Sequence, residues 1–163
     1  MKRDVKLEQT YPQPVDTVWK AITDPARVGQ WLMPVEGFKP RKGTRFQFRS
    51  PQMGAGWNGV VDCEVQEAEA PRKLVYSWRG QGMDGQPSAA FSPTTVTWTL
   101  EPVDGGGTKL RLEHTGFEGM KSILLSFMLG MGWKKKLRDD VADIAEALAS
   151  EASAPKQKAS KKR

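Results

Sequence analysis

Alternation of apolar and polar residues runs through the middle of the chain and is the feature that most constrains its fold. In the segment 44–50, Phe46 and Phe48 share one face of a predicted strand, while charged and amide side chains share the other. Four later segments repeat this pattern, at residues 57–70, 71–80, 94–102 and 108–117. A polar face on every strand is typical of an antiparallel sheet, because the strands of a parallel sheet are buried on both faces.

Two short helices are predicted before this region. A weakly alternating strand over residues 3–11 is followed by apolar residues at helical spacing in 14–23. Asp24 is a suitable N-cap for a second short helix, and Pro25 suits the first position of that helix. Both helices are too short to be stable unless they dock on the rest of the protein.

The last predicted element is a long helix with one apolar stripe. The members of the stripe follow steps of 4, 4, 3 and 4 residues and are Trp133, Leu137, Val141, Ile144 and Leu148. Lys134, Lys135 and Lys136 lie off the stripe, and three lysines in a first helical turn would oppose the helix dipole. We therefore expect the helix to begin earlier, within residues 122–132. The alternative is that these lysines contact an anionic partner.

These elements predict an α+β fold in which the sheet and the long helix bury each other's apolar surface. Because a twisted sheet cannot meet a straight helix everywhere, we expect a cavity between them. Residues 80–93, between two predicted strands, and residues 118–132, before the helix, are the candidates for the gate of this cavity.

Charge separates the chain into a body and a tail. The 163 residues are enough for one domain, which we place at residues 1–149. The net charge is +6, but residues 150–163 hold five basic side chains and one acidic one, and we predict that this segment is a disordered basic tail. Such a tail attracts phosphates weakly and without reading sequence, or serves solubility. We expect no specific nucleic-acid binding.

Several functional classes are not expected from the residue content. The N-terminus lacks the apolar core of a signal peptide, and the most apolar run, 123–133, is too short to span a membrane, so a cytoplasmic location is expected. One cysteine and one histidine do not make a metal site, and no glycine-rich phosphate loop precedes a helix, so no metal or cofactor is predicted. Cys63 alternates with Val61 and Val65 on an apolar strand face, where an inert buried thiol is the usual outcome.

Four segments resemble the helix-grip fold of the START-like superfamily, also called SRPBCC. They are PVDTVWKAITDPARVGQWL, RKLVYSW, TTVTWTLEPVDGGGTKLRLEHTGF and GWKKKLRDDVADIAEAL, and the resemblance covers about residues 5–149. Within the superfamily, the chain is similar to the family named for homologues of the activator of the ninety-kilodalton heat-shock protein's ATPase. The resemblance implies a curved antiparallel sheet wrapped around a long C-terminal helix, with two short helices after the first strand.

His114, the only histidine, shares the inner face of its strand with Leu110 and Leu112. In a helix-grip fold this face points at the cavity, where one ring nitrogen can donate a hydrogen bond and the other can accept one. Three roles stay open: a core side chain with satisfied hydrogen bonds, a contact to a ligand, or a general acid or base. A catalytic role calls for a second acid or base, and Tyr76 is the one other titratable group among the residues predicted to line the cavity.

The leading hypothesis is the binding of a small hydrophobic or aromatic ligand in this cavity, without chemistry. Two alternatives stay open: a cyclase- or aromatase-like enzyme that uses His114 and Tyr76, and a module that binds a protein partner, as in the co-chaperone family. Aromatic side chains on the inner face can fill such a hollow as well as frame it. The predicted lining is Trp31, Phe46, Phe48, Trp57, Val61, Tyr76, Trp78, Val96, Trp98, Leu112, His114, Phe127 and Met131.

Overall fold

A computed structural model describes residues 2–51, 56–88, 92–119 and 129–153 of the chain. Its strands are β1 (Lys2–Tyr11), β2 (Val35–Glu36), β3 (Arg45–Arg49), β4 (Trp57–Glu69), β5 (Lys73–Gly82), β6 (Thr94–Pro102) and β7 (Thr108–Glu118). Its helical elements are α1 (Val15–Thr23), α2 (Pro25–Trp31), α3 (129–135), a π-helical turn (Lys136–Asp140) and α4 (Val141–Ser153). The predicted α+β class and the predicted order of elements are confirmed.

The seven strands form one antiparallel sheet in the order β1-β7-β6-β5-β4-β3-β2. Alternation in the sequence predicts all of them except β2, which has only two residues, too few for any periodicity to show. Strands β3, β5, β6 and β7 bury alternate residues, as a sheet with one covered face requires. The sheet therefore presents one apolar face to the helices.

The alternation fails at the beginning of β4. Val60 and Val61 are buried in succession, and the pairing of β4 with β5 shifts in register between Trp57 and Val61. Gly59 lies inside this interval with a φ of 93°, a conformation that glycine adopts without steric cost. Trp57 consequently lies at the rim of the core, half-buried, and donates its indole N–H to the Val60 carbonyl at 2.8 Å.

Two short helices follow β1, as predicted. The Asp24 carboxylate accepts a hydrogen bond from the Ala26 N–H at 3.2 Å, and Pro25 occupies the first turn of α2. The Trp31 indole N–H donates to the Ala21 carbonyl at 2.8 Å, which joins the end of α2 to α1. This bond holds the buried Trp31 ring in the interior.

The C-terminal helix begins earlier and ends later than its apolar stripe. Its described residues reach back to 129, so the expectation of an early start is confirmed. Helix α4 continues to Ser153, and the predicted boundary between domain and tail falls inside it. Glu151, in its last turn, accepts two hydrogen bonds from Arg27 of α2, at 2.6 and 2.7 Å. Residues 154–163 lie outside the described part of the chain.

The π-helical turn changes the hydrogen bonds in the middle of the C-terminal helix. The Val141 N–H bonds the carbonyl of Lys136, five residues back, and not the carbonyl of Leu137, its partner in an α-helix. The Tyr11 hydroxyl donates to the released Leu137 carbonyl at 2.6 Å. Lys136 donates from Nζ to the Trp31 carbonyl at 3.0 Å. The turn thus anchors the helix to the end of β1 and to the end of α2.

The predicted apolar stripe faces the core. Its first three members are buried, and Ile144 and Leu148 are half-buried. The wider π-helical turn helps to keep residues four apart on one face, where a regular helix drifts. No helix in the described ranges is long and apolar enough to cross a membrane.

The two predicted gate segments are described only in part. Residues 80–82 of the first segment continue β5, and residues 89–91 lie outside the described part of the chain. In the second segment, residues 120–128 lie outside the described part. The role of both segments as a gate stays a prediction.

Candidate functional site

The indole of Trp133 projects from α3 into the centre of the aromatic interior. Its ring centroid lies 5.7 Å from that of Trp98, 5.8 Å from that of Trp78 and 6.3 Å from that of Trp31. Edge-to-face and tilted arrangements of this kind are favourable for aromatic pairs. Side chains therefore fill the volume between the helix and strands β5 and β6 at this point, where the sequence predicts a cavity.

His114 lies beside Trp133, and its side chain is completely buried. The Trp133 indole N–H donates to His114 Nδ1 at 3.1 Å. Because an indole nitrogen is only a donor, Nδ1 has to be an acceptor, and the proton of the neutral imidazole is on Nε2. Nε2–H then donates to Thr94 Oγ1 at 2.8 Å, and the Thr94 hydroxyl donates to the Trp78 carbonyl at 3.1 Å.

This chain of hydrogen bonds joins three strands to the C-terminal helix and uses both nitrogens of the imidazole. Burial lowers the pKa of His114 from 6.5 to about 3, because a charged ring would lose its hydration. A protonated ring also could not accept the Trp133 N–H. In this arrangement His114 is a neutral link, and neither nitrogen is free to take a proton from a substrate.

Tyr76 lies two residues before Trp78 on the inner face of β5 and is 4% exposed. Its hydroxyl oxygen accepts the Trp98 indole N–H at 3.1 Å. Its ring packs edge-to-face on Phe46, with centroids 5.2 Å apart, and is tilted against Phe48 at 6.2 Å. Burial raises the pKa of Tyr76, so the phenol keeps its proton at neutral pH.

A small internal space lies between Tyr76 and the segment that joins α2 to β2. Its volume is about 10 Å³, which is room for about one water molecule. Phe48 and Tyr76, on β3 and β5, form its floor, and the half-buried side chain of Leu32 forms part of its roof. Val35, also half-buried, pairs with Phe48 at the edge of the sheet. The full lining is Ile22, Val28, Trp31, Leu32, Val35, Phe38, Phe48 and Tyr76.

Ten of the predicted lining residues come together in the buried core, two do not, and one lies outside the described part of the chain. Met131 is 72% exposed and has to be corrected: it lies two residues before Trp133, and two helical residues turn a side chain by about 200°. Trp57 is at the rim because of the irregularity at Gly59. Phe127 lies outside the described residues. The buried members are Trp31, Phe46, Phe48, Val61, Tyr76, Trp78, Val96, Trp98, Leu112 and His114.

Several residues that shape this interior are missing from the predicted lining, and Ile22, Val28, Leu32 and Val35 around the internal space are four of them. Trp133 belongs to the predicted helix stripe, but its ring contacts depend on how the helix meets the sheet. Thr94 begins β6 on the same face as Val96 and Trp98, so alternation was the signal that could have found it. Phe38 lies between two strands in a connection with no periodic pattern, which gives no signal.

Cys63 is a buried free thiol on β4. Burial raises its pKa, and the neighbouring charge of Asp62 raises it further. The thiolate is the nucleophilic form of cysteine, so this group has the properties of an inert core thiol.

A larger groove of about 340 Å³ lies elsewhere on the surface. It has no lining residue in common with the internal space, and none of its residues was predicted to be functional. Two of its side chains are charged, and both have partners: Arg72 pairs with Glu69 at 2.6 Å, and Glu101 pairs with Arg111 at 3.7 Å. We assign no function to this groove.

A family model matches most of this chain. Residues 12–142 match the family described as Activator of Hsp90 ATPase homolog 1-like protein. No curated protein matches the chain. Among solved structures, the chain is similar to protein MLL2253 from Mesorhizobium loti, with 31% sequence identity and a TM-score of 0.75 over 89% of this chain and 98% of that one.

Two further solved structures are similar over most of this chain but over a smaller part of their own. CalU16 from Micromonospora echinospora has 27% identity and a TM-score of 0.64 over 88% of this chain and 66% of that one. DynU16, described as a putative protein in the dynemicin biosynthetic locus, has 27% identity and a TM-score of 0.64 over 88% of this chain and 47% of that one.

Proposed function

We propose that this chain, which belongs to the family of Activator of Hsp90 ATPase homolog 1-like proteins, binds a small molecule. The ligand is a small aromatic molecule that binds in the interior beneath α2, among the side chains that line the internal space. The protein holds this molecule without transforming it.

The internal space has two unlike walls, and this observation carries the proposal. Tyr76 lies on β5, whose backbone is paired with β4 and β6, and Phe48 lies on β3, which is paired with β4 along its whole length, so this wall resists displacement. Leu32 and Val35 belong to the end of α2 and to the two-residue strand β2, at the edge of the sheet, and both are half-buried. Outward movement of the end of α2 at Leu32 enlarges the space, while β3 and β5 hold the aromatic floor in place through their pairing with β4.

The aromatic character of the interior supports a flat ligand. The rings of Phe46, Phe48 and Tyr76 contact one another at centroid distances between 5.2 and 6.2 Å. Aromatic surfaces of this kind bind rings through stacking and edge contacts in addition to hydrophobic burial. The similar protein DynU16 is described as a putative protein in the dynemicin biosynthetic locus. A place in a biosynthetic locus supports a small molecule as the ligand.

Catalysis has less support than binding. A cyclase-like mechanism with His114 and Tyr76 would need a proton acceptor, and both nitrogens of His114 are occupied by Trp133 and Thr94. The described residues also offer no observation that favours a protein partner over a small molecule.

Substitution of the roof tests the proposal. Leu32→Ala should lower the free energy of unfolding by about 1–2 kcal/mol, less than for a fully buried leucine, and should enlarge the internal space. Naphthalene should then raise the melting temperature of this variant more than that of the wild type, because apolar cavities bind such rings. Thermal unfolding measures the loss of stability and the rise in melting temperature with naphthalene, and tryptophan fluorescence measures the binding of naphthalene.

The matched control is Leu148→Ala, which truncates another half-buried leucine, on α4 and away from the internal space. It should cost similar stability and gain no affinity for naphthalene. A Leu32→Ala protein that binds naphthalene no better than Leu148→Ala would contradict the proposed site.

A further inference from the structure

We infer that the ligand is an uncharged aromatic molecule with a carbonyl or ether oxygen, and that the Tyr76 hydroxyl donates a hydrogen bond to that oxygen. This inference rests on the proposed function and narrows its ligand to one chemical class. It follows from the polar groups of the side chains that line the internal space.

Two of the side chains that line the space carry polar atoms, Trp31 and Tyr76. The Trp31 indole N–H is already used, because it donates to the Ala21 carbonyl at 2.8 Å. The oxygen of the Tyr76 hydroxyl accepts one hydrogen bond, from the Trp98 indole N–H at 3.1 Å. A phenol also has one hydrogen to donate, and no described residue accepts it.

The remaining donor is deeply buried, since Tyr76 is 4% exposed. A buried donor without an acceptor is costly, so a ligand that supplies an acceptor gains more than its own contact area provides. Burial raises the pKa of Tyr76, which keeps the hydrogen on the phenol at neutral pH. The group is therefore a donor under physiological conditions, and a matching ligand presents an acceptor.

Charge excludes two other ligand classes. The lining of the space contains no Lys, Arg, Asp or Glu side chain. A carboxylate or ammonium group on the ligand would lose its hydration without a counter-charge, and such a transfer is strongly unfavourable. An uncharged oxygen loses much less hydration and recovers it from the Tyr76 hydroxyl.

Three naphthalene derivatives of nearly equal shape test the inference. They are 2-acetylnaphthalene, which has a carbonyl oxygen; 2-isopropenylnaphthalene, in which a CH₂ group replaces that oxygen; and 2-naphthoate, which is an anion. The wild-type protein should bind the ketone about 3- to 10-fold more tightly than the alkene, as one net hydrogen bond predicts, and the anion more weakly than both. Tryptophan fluorescence titration measures all three dissociation constants.

Tyr76→Phe removes the hydroxyl and keeps the ring, so the affinity for the ketone should fall to the affinity for the alkene. Tyr11→Phe is the matched control, because the chain has two tyrosines and the Tyr11 hydroxyl is committed to the Leu137 carbonyl. This variant should keep the preference for the ketone. The wild-type comparison of ketone and alkene gives a result even where a variant does not fold.

The outcomes separate the inference from the proposed function. Equal binding of ketone and alkene by the wild type, or a preference that survives Tyr76→Phe, overturns the inference and leaves aromatic binding intact. Tighter binding of 2-naphthoate than of the ketone also overturns it. Failure of all three compounds to bind at their solubility limits overturns the proposed function, and the inference with it.

Discussion

Two sides of the aromatic interior differ in how completely their polar groups are satisfied. On one side, the Trp133 region (Trp78, Thr94, His114 and Trp133), every ring nitrogen of the imidazole and the threonine hydroxyl have partners within the protein. On the other side, the Tyr76 region (Trp31, Leu32, Phe48 and Tyr76), one buried hydroxyl has a hydrogen that no described residue accepts, and the Tyr76 side chain lines a small space.

The difference shows which buried polar group is structural and which is a candidate for recognition. The Trp133 region resembles a completed core, because a ligand could enter it only by breaking hydrogen bonds that already exist. In the Tyr76 region a ligand can accept the hydroxyl hydrogen that no described residue accepts, and it can bury more of the half-buried side chain of Leu32. The sequence draws attention to the histidine in the apolar interior, but both of its nitrogens are hydrogen-bonded. Among the described residues, the Tyr76 hydroxyl is the group of the two that can still donate a hydrogen bond.

Truncation of Trp133 should have the largest effect on the completed side. Trp133→Ala removes ring contacts to Trp31, Trp78 and Trp98 and leaves His114 Nδ1 without a donor. We expect a loss of about 3–5 kcal/mol in the free energy of unfolding. Urea unfolding followed by far-ultraviolet circular dichroism measures this loss without relying on the altered tryptophan signal.

Trp57→Ala is the control for Trp133→Ala, because Trp57 is half-buried at the rim of the core. It should cost clearly less than Trp133→Ala. Equal losses in the two variants would mean that Trp133 does not complete the core in the way that its ring contacts indicate.

Acid should weaken the same region through His114. The unfolded chain binds a proton at this residue below its ordinary pKa of 6.5, whereas the folded protein binds it only near 3. Between these values the unfolded state holds more protons, so the free energy of unfolding falls as the pH falls, by at most about 1.4 kcal/mol per pH unit. This stabilisation is complete above pH 6.5 and disappears as the pH approaches 3.

His114→Gln is the comparison that isolates this effect, because His114 is the only histidine and the carboxylates are common to both proteins. The stability difference between wild type and variant should shrink as the pH is lowered from 7 to 4 in urea unfolding experiments. Parallel pH profiles for the two proteins would show that His114 is not held neutral by its surroundings.

The sheet, the helices and the inward position of His114 could be predicted because each depends on a local repeat. Alternation places Phe46, Tyr76 and Trp98 on one face regardless of what covers that face. The position of Trp57 could not be predicted, because a single irregularity at Gly59 interrupts the period.

The local sequence pattern also could not predict how completely side chains fill the interior. Alternation and helical spacing identify Trp133 and Trp98 as inward residues, but not the distance between their rings. That distance depends on the anchoring of the C-terminal helix, which the π-helical turn and the Tyr11 hydroxyl determine together. Such a turn has no periodic signature, so the size of the remaining space follows only from the assembled structure.

The two tyrosines give the smallest and most discriminating comparison. Tyr11→Phe leaves the Leu137 carbonyl, which the π-helical turn has released, without its donor, and should cost about 1–3 kcal/mol in the free energy of unfolding. Tyr76→Phe leaves the Trp98 N–H unpaired, but it also removes a hydroxyl hydrogen that has no acceptor among the described residues. Its cost should therefore be lower than that of Tyr11→Phe.

Both variants lose one oxygen atom and keep the ring, so burial of apolar surface changes little in either case, and the difference between them reports on hydrogen bonding. Chemical denaturation of the two variants in parallel gives this difference directly. A Tyr76→Phe protein that loses as much stability as Tyr11→Phe would show that the Tyr76 hydroxyl is already fully engaged in the free protein. The contrast between the completed and the incomplete side of the interior would then disappear.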